Sequence, residues 1–497
     1  MTRALLTLCV IAAVLLELID TTVVSVALPT IQGNLGADFT KGTWIVTAYV
    51  VANAIVIPIN PWLQIRFGRR NYFIASIIVF TLASFMCGIA NNLELLVAFR
   101  ALQGLAGGGL LATGQVILFD AYPREEQDKA QGFLSIGVIM GPALGPIIGG
   151  WLTDNASWRW AFYINIPIGI LATVLALAVI HDRAAPLRKA VDSVGALLLV
   201  VGLGSLQFVL GQGQLKDWFS DSTIVTSALL AAGGLVAFVV WELFYAREPI
   251  VDLRALAVRE VWVGTLLSAG IGFVLYGFVI IVPQFATAHL GFTATLSGEL
   301  FLIQAGACLV ATPFSIVLFR RGIFQPRVQV TIGFVLFAAA NWQLMHVETS
   351  TGDFRALVPA LITSGIAISQ LFLPVTLGTL PQLRDALVPM ASAFQNLARQ
   401  LGGSVSTAIL ASVQQRSATS AYAVLAEQVR VDRPGVAAFV HSYPDAARQL
   451  FSMVLAQASV LGFIATGSVA MCVALAIAPF ALLLRRVDPN TPMSAGH

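Results

Sequence analysis

Charge is the scarcest commodity in this sequence. Only 11% of its 497 residues are Asp, Glu, Lys or Arg, and 58% are apolar. Soluble domains carry about a quarter charged residues, so a water-facing globule is excluded. The net charge of +3 is too small to mark a nucleic-acid binder. The four cysteines, Cys9, Cys87, Cys308 and Cys472, are scattered singly through apolar runs. They form neither a metal pattern nor a disulfide framework, and read as small buried apolar residues. Five histidines stand mostly at loop edges, without metal or haem spacing. There is no phosphate-cradling glycine loop ending in Lys-Ser or Lys-Thr, which argues against an ATP-driven pump on this chain. No nucleophile or metal cluster suggests an enzyme, no cofactor is expected, and no nucleic-acid partner is expected.

What is abundant is long apolar sequence. A bilayer-crossing helix needs about 20 mostly apolar residues. Runs of that kind fall near 5–28, 43–63, 71–90, 95–119, 132–152, 161–180, 194–212, 223–243, 262–282, 297–318, 327–346, 356–378, 390–412 and 457–484. They are apolar on every face rather than alternating, so helices are expected and a barrel is not. The class is an all-α polytopic membrane protein with about fourteen spans. Arg3 before the first run imitates a signal peptide, but Glu17 and Asp20 interrupt it, so it is read as the first span. Residues 413–455 are polar and contain Pro434 and Pro444. They predict an extramembrane excursion of short amphipathic helices or a flexible loop.

Arg and Lys concentrate in alternate loops, including Arg66, Arg69, Arg70, Arg124, Arg183, Arg188, Lys189, Arg254, Arg259, Arg320, Arg321 and Arg384. That bias puts these loops and both termini in the cytoplasm, and 413–455 outside. A faint repeat is visible. Arg66-Phe67-Gly68-Arg69-Arg70 joins the second and third spans, and Arg320-Arg321-Gly322 joins the tenth and eleventh. Glycine-rich helices follow at 137–150 and at Gly402-Gly403. This predicts a six-helix bundle over 1–185, two additional helices over 186–250, and a second six-helix bundle over 251–497. Duplication around a central site is the usual plan of secondary transporters.

Glu17 and Asp20 lie three apart in the first span and share a helix face. Carboxylates at that depth must take up protons, pair or meet water, and two so close cannot both stay charged cheaply. They are candidates for proton handling, or alternatively for structural hydrogen bonds. Arg100 in the fourth span needs a partner, and a first-span carboxylate is the natural one. Gln103, Gly104 and Gly107 share its face. Gly137, Gly141, Gly145 and Gly149 recur every four residues, with Gly150, Pro142 and Pro146 beside them. They predict a groove for a close helix neighbour, with kinks or a bulge at the prolines. Arg66, Gly68, Arg69 and Arg70 form a basic turn that either fixes topology or latches onto helix ends and acids. Tyr49, Asn53, Gln115, Tyr276, Gln304, Gln370, Asn396 and Arg399 are candidates for the polar lining of a cavity. Glu299 is expected at an interface.

These motifs together resemble the fourteen-helix drug:proton antiporter branch of the major facilitator superfamily (EmrB/QacA-like), over nearly the whole chain. The first-helix signature is Leu18-Ile19-Asp20-Thr21-Thr22-Val23-Val24-Ser25-Val26-Ala27-Leu28-Pro29. Arg100 through Gly108, Gly137 through Gly150, and Arg66 through Arg70 match the fourth-helix, antiporter and loop motifs. Ser25 replaces the usual Asn, and Pro61 and Ile65 replace the usual Gly and Asp of the loop motif. A latch built on that missing carboxylate is therefore not expected. The resemblance implies proton-driven export of small amphipathic, drug-like molecules by rocking of two bundles. It further implies a periplasmic adaptor and an outer-membrane channel as partners in a Gram-negative host. Two other readings keep the fold: an exporter of one metabolite, fatty acid or siderophore, and a non-transporting scaffold or sensor.

Overall fold

The structure is a computed structural model that describes residues 2–123, 126–181, 190–292, 294–347, 354–429, 433–442 and 445–486. Arg124, Arg183, Arg188, Lys189 and the expected boundary at 185–186 lie outside the described residues. Among the described residues nineteen α-helices follow one another, in order α1 (Thr2–Leu35), α2 (Phe39–Gly42), α3 (Trp44–Phe67), α4 (Arg69–Ile89), α5 (Leu93–Gly107), α6 (Leu110–Ala121), α7 (Gln127–Asn155), α8 (Trp160–Tyr163), α9 (Asn165–Val179), α10 (Ser193–Gln212), α11 (Ser222–Val240), α12 (Arg259–His289), α13 (Ala294–Arg320), α14 (Pro326–Val347), α15 (Phe354–Ser369), α16 (Phe372–Thr379), α17 (Val388–Gln428), α18 (Pro434–Ser442) and α19 (Ala446–Ile477). There is no β-strand among the described residues.

Twelve helical stretches among the described residues are long and apolar enough to cross a membrane. The helices α7 and α17 coincide with the fifth and thirteenth expected spans and are long enough to cross, but α17 is much more polar. Large apolar side chains stand exposed around the outside, Leu229, Val236, Val310 and Phe314 among them. A water-soluble chain rarely tolerates such a surface, whereas hydrocarbon does. The protein is a multi-pass membrane protein.

One hydrophobic core gathers residues between Leu6 and Ile180, from α1, α3–α7 and α9. A second gathers residues between Val263 and Leu484, from α12 to α19 and the chain just beyond it. The pair α10 and α11 packs beside α3, with Gly204 against Val51 and Ile55 and Gly211 against Thr47. Gln212 donates to Thr47 Oγ1 at 2.8 Å, and Trp218 Nε1 donates to Ser412 Oγ at 3.0 Å. The additional pair thus borders both cores.

The structure departs from the sequence reading at four places. The fourth span is not one helix: it breaks at Gly108-Gly109 between α5 and α6. The glycines let α3 come close, and a side chain at 108 would strike the Asn53 carbonyl. Residues 413–428 are neither loop nor short helix, but the continuation of α17, which is 41 residues long. Its rise of 1.5 Å per residue gives about 60 Å, twice the hydrocarbon thickness. The helix α19 starts at Ala446, well before the expected 457. Through Pro142 and Pro146 the backbone of α7 stays α-helical, without the expected bulge.

Candidate functional site

The fold turns the glycine face of α7 onto α1. A Cβ at Gly137 would meet Ile11, at Gly141 it would strike Leu18, and at Gly145 it would strike the Thr22 hydroxyl. At Gly149 it would lie 3.1 Å from the Val23 backbone. Only glycine permits this separation, and the close seam holds the acidic turn of α1 inside its bundle. Gly150 and Pro146 are buried in the same helix. The side chain of Pro142 lies outside the described residues.

Asp20 is 0% exposed and Arg100 1%. Arg100 Nη1 donates to Asp20 Oδ2 at 2.5 Å and to Gln103 Oε1 at 2.7 Å. Its Nε donates to the Ile45 carbonyl at 3.1 Å, and the guanidinium lies 4.2 Å from the Tyr49 ring centroid. The other oxygen of Asp20 accepts from Gln103 Nε2 at 2.7 Å and from Asn165 Nδ2 at 2.9 Å. Ser84 Oγ accepts from the same two amides. Both charges are therefore paired and hydrogen-bonded, the condition under which burial is tolerable. Helices α5 and α9 meet α1 at this one carboxylate, and α4 joins through Ser84. Asn165 and Ser84 carry no sequence signal, because a single amide or hydroxyl in an apolar run is common.

Glu17 is held separately. Asn53 Nδ2 donates to its Oε1 at 3.1 Å, and the Leu111 amide, at the start of α6, donates to its Oε2 at 3.3 Å. Tyr49 and Asn53 thus belong to the acidic network of the first bundle. Across the interface Gln115 Oε1 accepts from Ser392 Oγ at 2.7 Å and from Asn396 Nδ2 at 3.5 Å. Asn396 Oδ1 accepts from Arg399 Nη1 at 2.9 Å. Arg399 lies 4.3 Å from the Phe372 ring centroid, and Tyr276 and Glu17 lie within electrostatic reach of it. Glu17, Tyr49, Asn53, Gln115, Tyr276, Asn396 and Arg399 therefore gather in the middle of the protein. Gln304 and Gln370 do not join them: Gln304 donates to Ser364 at 2.9 Å, and Gln370 bonds Ser315 and Ser369. Both are satisfied inside the second bundle. Glu299 is exposed.

The two bundles are tied at the arginine-rich end. Arg320 on α13 forms an ion pair with Asp128 on α7, and Phe372 enters the core of the first bundle. The basic turn holds its own bundle. Arg69 pairs with Asp120 at the end of α6 and donates to Gln64 Oε1 at 3.0 Å. Arg70 Nε donates to the Ile180 carbonyl beyond α9 at 2.7 Å. Gly68 has φ 82°, a left-handed conformation that favours glycine. Arg66 stands in the last turn of α3. At the opposite end Ser25 and Pro29 of α1 are exposed.

Comparison with known proteins agrees with this architecture. The Major Facilitator Superfamily model matches residues 10–407. The multidrug export protein EmrB of Haemophilus influenzae is 35% identical over 441 residues, 88% of this chain and 85% of that protein. The fatty acid resistance protein FarB of Neisseria gonorrhoeae is 34% identical over 84% of this chain and 82% of that one. The crystal structure of the human organic anion transporter MFSD10 superposes with a TM-score of 0.62 at 12% identity, covering 97% of this chain and 99% of that one, a likeness of fold. With its helical bundles, buried ion pair and matching family model, this chain belongs to the Major Facilitator Superfamily.

Proposed function

We propose that this chain is a proton-driven exporter of amphipathic organic molecules that works by alternating access. The observation that carries the reading is the buried Asp20–Arg100 pair, with Glu17 one turn away and facing the second bundle. An ion pair sealed from water, with every oxygen hydrogen-bonded, is a poor substitute for apolar packing as a source of stability. It suits a switch: protonating Asp20 weakens the hold of Arg100 and loosens α1 from α5 and α9. Protons are the coupling ion and no cofactor takes part; the chain is a carrier, not an enzyme. The likeness to the multidrug export protein EmrB supports a broad cargo, and that to FarB keeps fatty acids within it.

In this reading the halves 1–185 and 251–497 rock about the central residues, with 186–250 riding beside them. The arginine-rich end and both termini face the cytoplasm of a bacterial inner membrane. Closure there by Arg320–Asp128 and Gln115–Ser392 corresponds to the outward-facing side of the cycle. The glycine seam of α7 on α1 keeps protons from leaking around Asp20. Glu17, Asn53, Gln115, Tyr276 and Asn396 line the cargo path. The protruding part of α17 is the surface for a periplasmic adaptor leading to an outer-membrane channel.

The test is transport in proteoliposomes under an imposed pH gradient, following a lipophilic dye, with the intact protein and Asp20→Asn. Movement lost in the variant, with dye binding retained, supports the reading. Equal movement in both removes Asp20 from the coupling step. No movement in either, with folded protein and several dye classes tried, counts against broad export.

A further inference from the structure

The second bundle contains a charge that the described residues do not balance. Arg399 on α17 is 7% exposed, and its Nε has no hydrogen-bond acceptor among the described residues. No carboxylate among them lies within ion-pair distance of it. Nη1 is spent on the Asn396 amide oxygen, and the face of the guanidinium rests on Phe372. Glu17 faces it from the first bundle, but the oxygens of Glu17 are engaged by Asn53 and Leu111 and form no ion pair with it. A buried cation without a counter-ion is costly, and a guanidinium keeps its charge where an ammonium would shed it.

The position is also prepared. Gly272 on α12 lies so close to Arg399 that a Cβ would strike the arginine's carbonyl oxygen. Gly403 accommodates the Tyr276 ring in the same way, so α12 and α17 are locked together around this residue. The stack on Phe372 fixes the plane of the fork while leaving Nε without an acceptor. A fork so presented fits a carboxylate through two parallel hydrogen bonds.

We propose that Arg399 is the anchor for the head group of the cargo, and that the central site accepts amphipathic organic carboxylates. This rests on the export reading for what becomes of the bound molecule, but not for the binding itself.

The experiment measures binding to the full-length protein in lipid nanodiscs, without a gradient, for three ten-carbon probes: decanoate, decanol and decyltrimethylammonium. Empty nanodiscs give the lipid background. The intact protein is expected to prefer decanoate over decanol by about tenfold, the scale of one charge-assisted contact. Arg399→Gln is expected to bring decanoate to the level of decanol and to leave decyltrimethylammonium unchanged. Arg399→Lys, which keeps the charge without the fork, is expected to fall between. Equal binding of decanoate and decanol by the intact protein overturns the proposal, and needs no variant to fold. A preference that survives in Arg399→Gln also overturns it, as does an equal loss of all three probes, which marks a structural role. Because binding is read without a gradient, failed proton-driven export leaves the anchor standing. Failed selectivity in turn leaves export of other cargo standing.

Discussion

The two bundles use one packing device for opposite electrostatic ends. In the first, α1 and α7 meet along Gly137, Gly141, Gly145 and Gly149, and the arginine nearby has acceptors at both Nε and Nη1. In the second, α12 and α17 meet along Gly272, Gly402 and Gly403, and the arginine there keeps an Nε without an acceptor among the described residues. Both guanidiniums lie on aromatic rings, Arg100 on Tyr49 and Arg399 on Phe372. Close glycine seams therefore supply rigidity without deciding chemistry. Chemistry is decided by whether a carboxylate stands within ion-pair distance.

The comparison is broken most directly by removing each arginine in turn. Arg100→Leu leaves Asp20 buried and unpaired, and is expected to cost about 3–5 kcal/mol, seen as a large loss of thermal stability in detergent. Arg399→Leu removes an unbalanced charge, and is expected to leave the melting temperature level or raise it. Equal losses from both would show that the two arginines are structurally alike. A smaller effect is expected from the seam. Gly145→Val drives a side chain into Thr22 and should cost about 1–3 kcal/mol, whereas Gly306→Val, with open space around it, should be silent in the same melting assay. The smallest effect on stability belongs to Asp128→Asn, which breaks the half-exposed pair with Arg320, worth about 0–1 kcal/mol. Its signature is positional. Spin labels on the ends of α7 and α13 should report a larger separated population at the arginine-rich end, and an unchanged distance distribution would mean that the pair does not hold the bundles together.

Much of this was legible in the sequence because the bilayer leaves little choice. A carboxylate and an arginine in apolar runs must find each other or water, so the sequence itself marks Asp20 and Arg100. Glycines four apart must lie on one face, so the seam on α7 could be named as well. The partners Asn165 and Ser84 could not, because nothing in their spacing ties them to Asp20 across 145 and 64 positions. Asp120 and Asp128 were hidden at helix ends, where acids are ordinary. The extent of α17 was missed for a different reason. Hydropathy ends the span near 412, but helix propagation asks only for good helix formers. The stretch from Val413 to Gln428 is rich in Ala and Gln, with no Gly or Pro before Pro434.

That continuity makes α17 a lever. The same rigid rod carries Arg399 in its first third and ends 29 residues farther on at Gln428. At 1.5 Å per residue the arm is about 43 Å, so each degree of tilt at Arg399 displaces the tip by about 0.75 Å. A rearrangement too slight to notice around the guanidinium is amplified at the far end of the helix. Whatever touches that tip is in mechanical contact with the centre of the membrane.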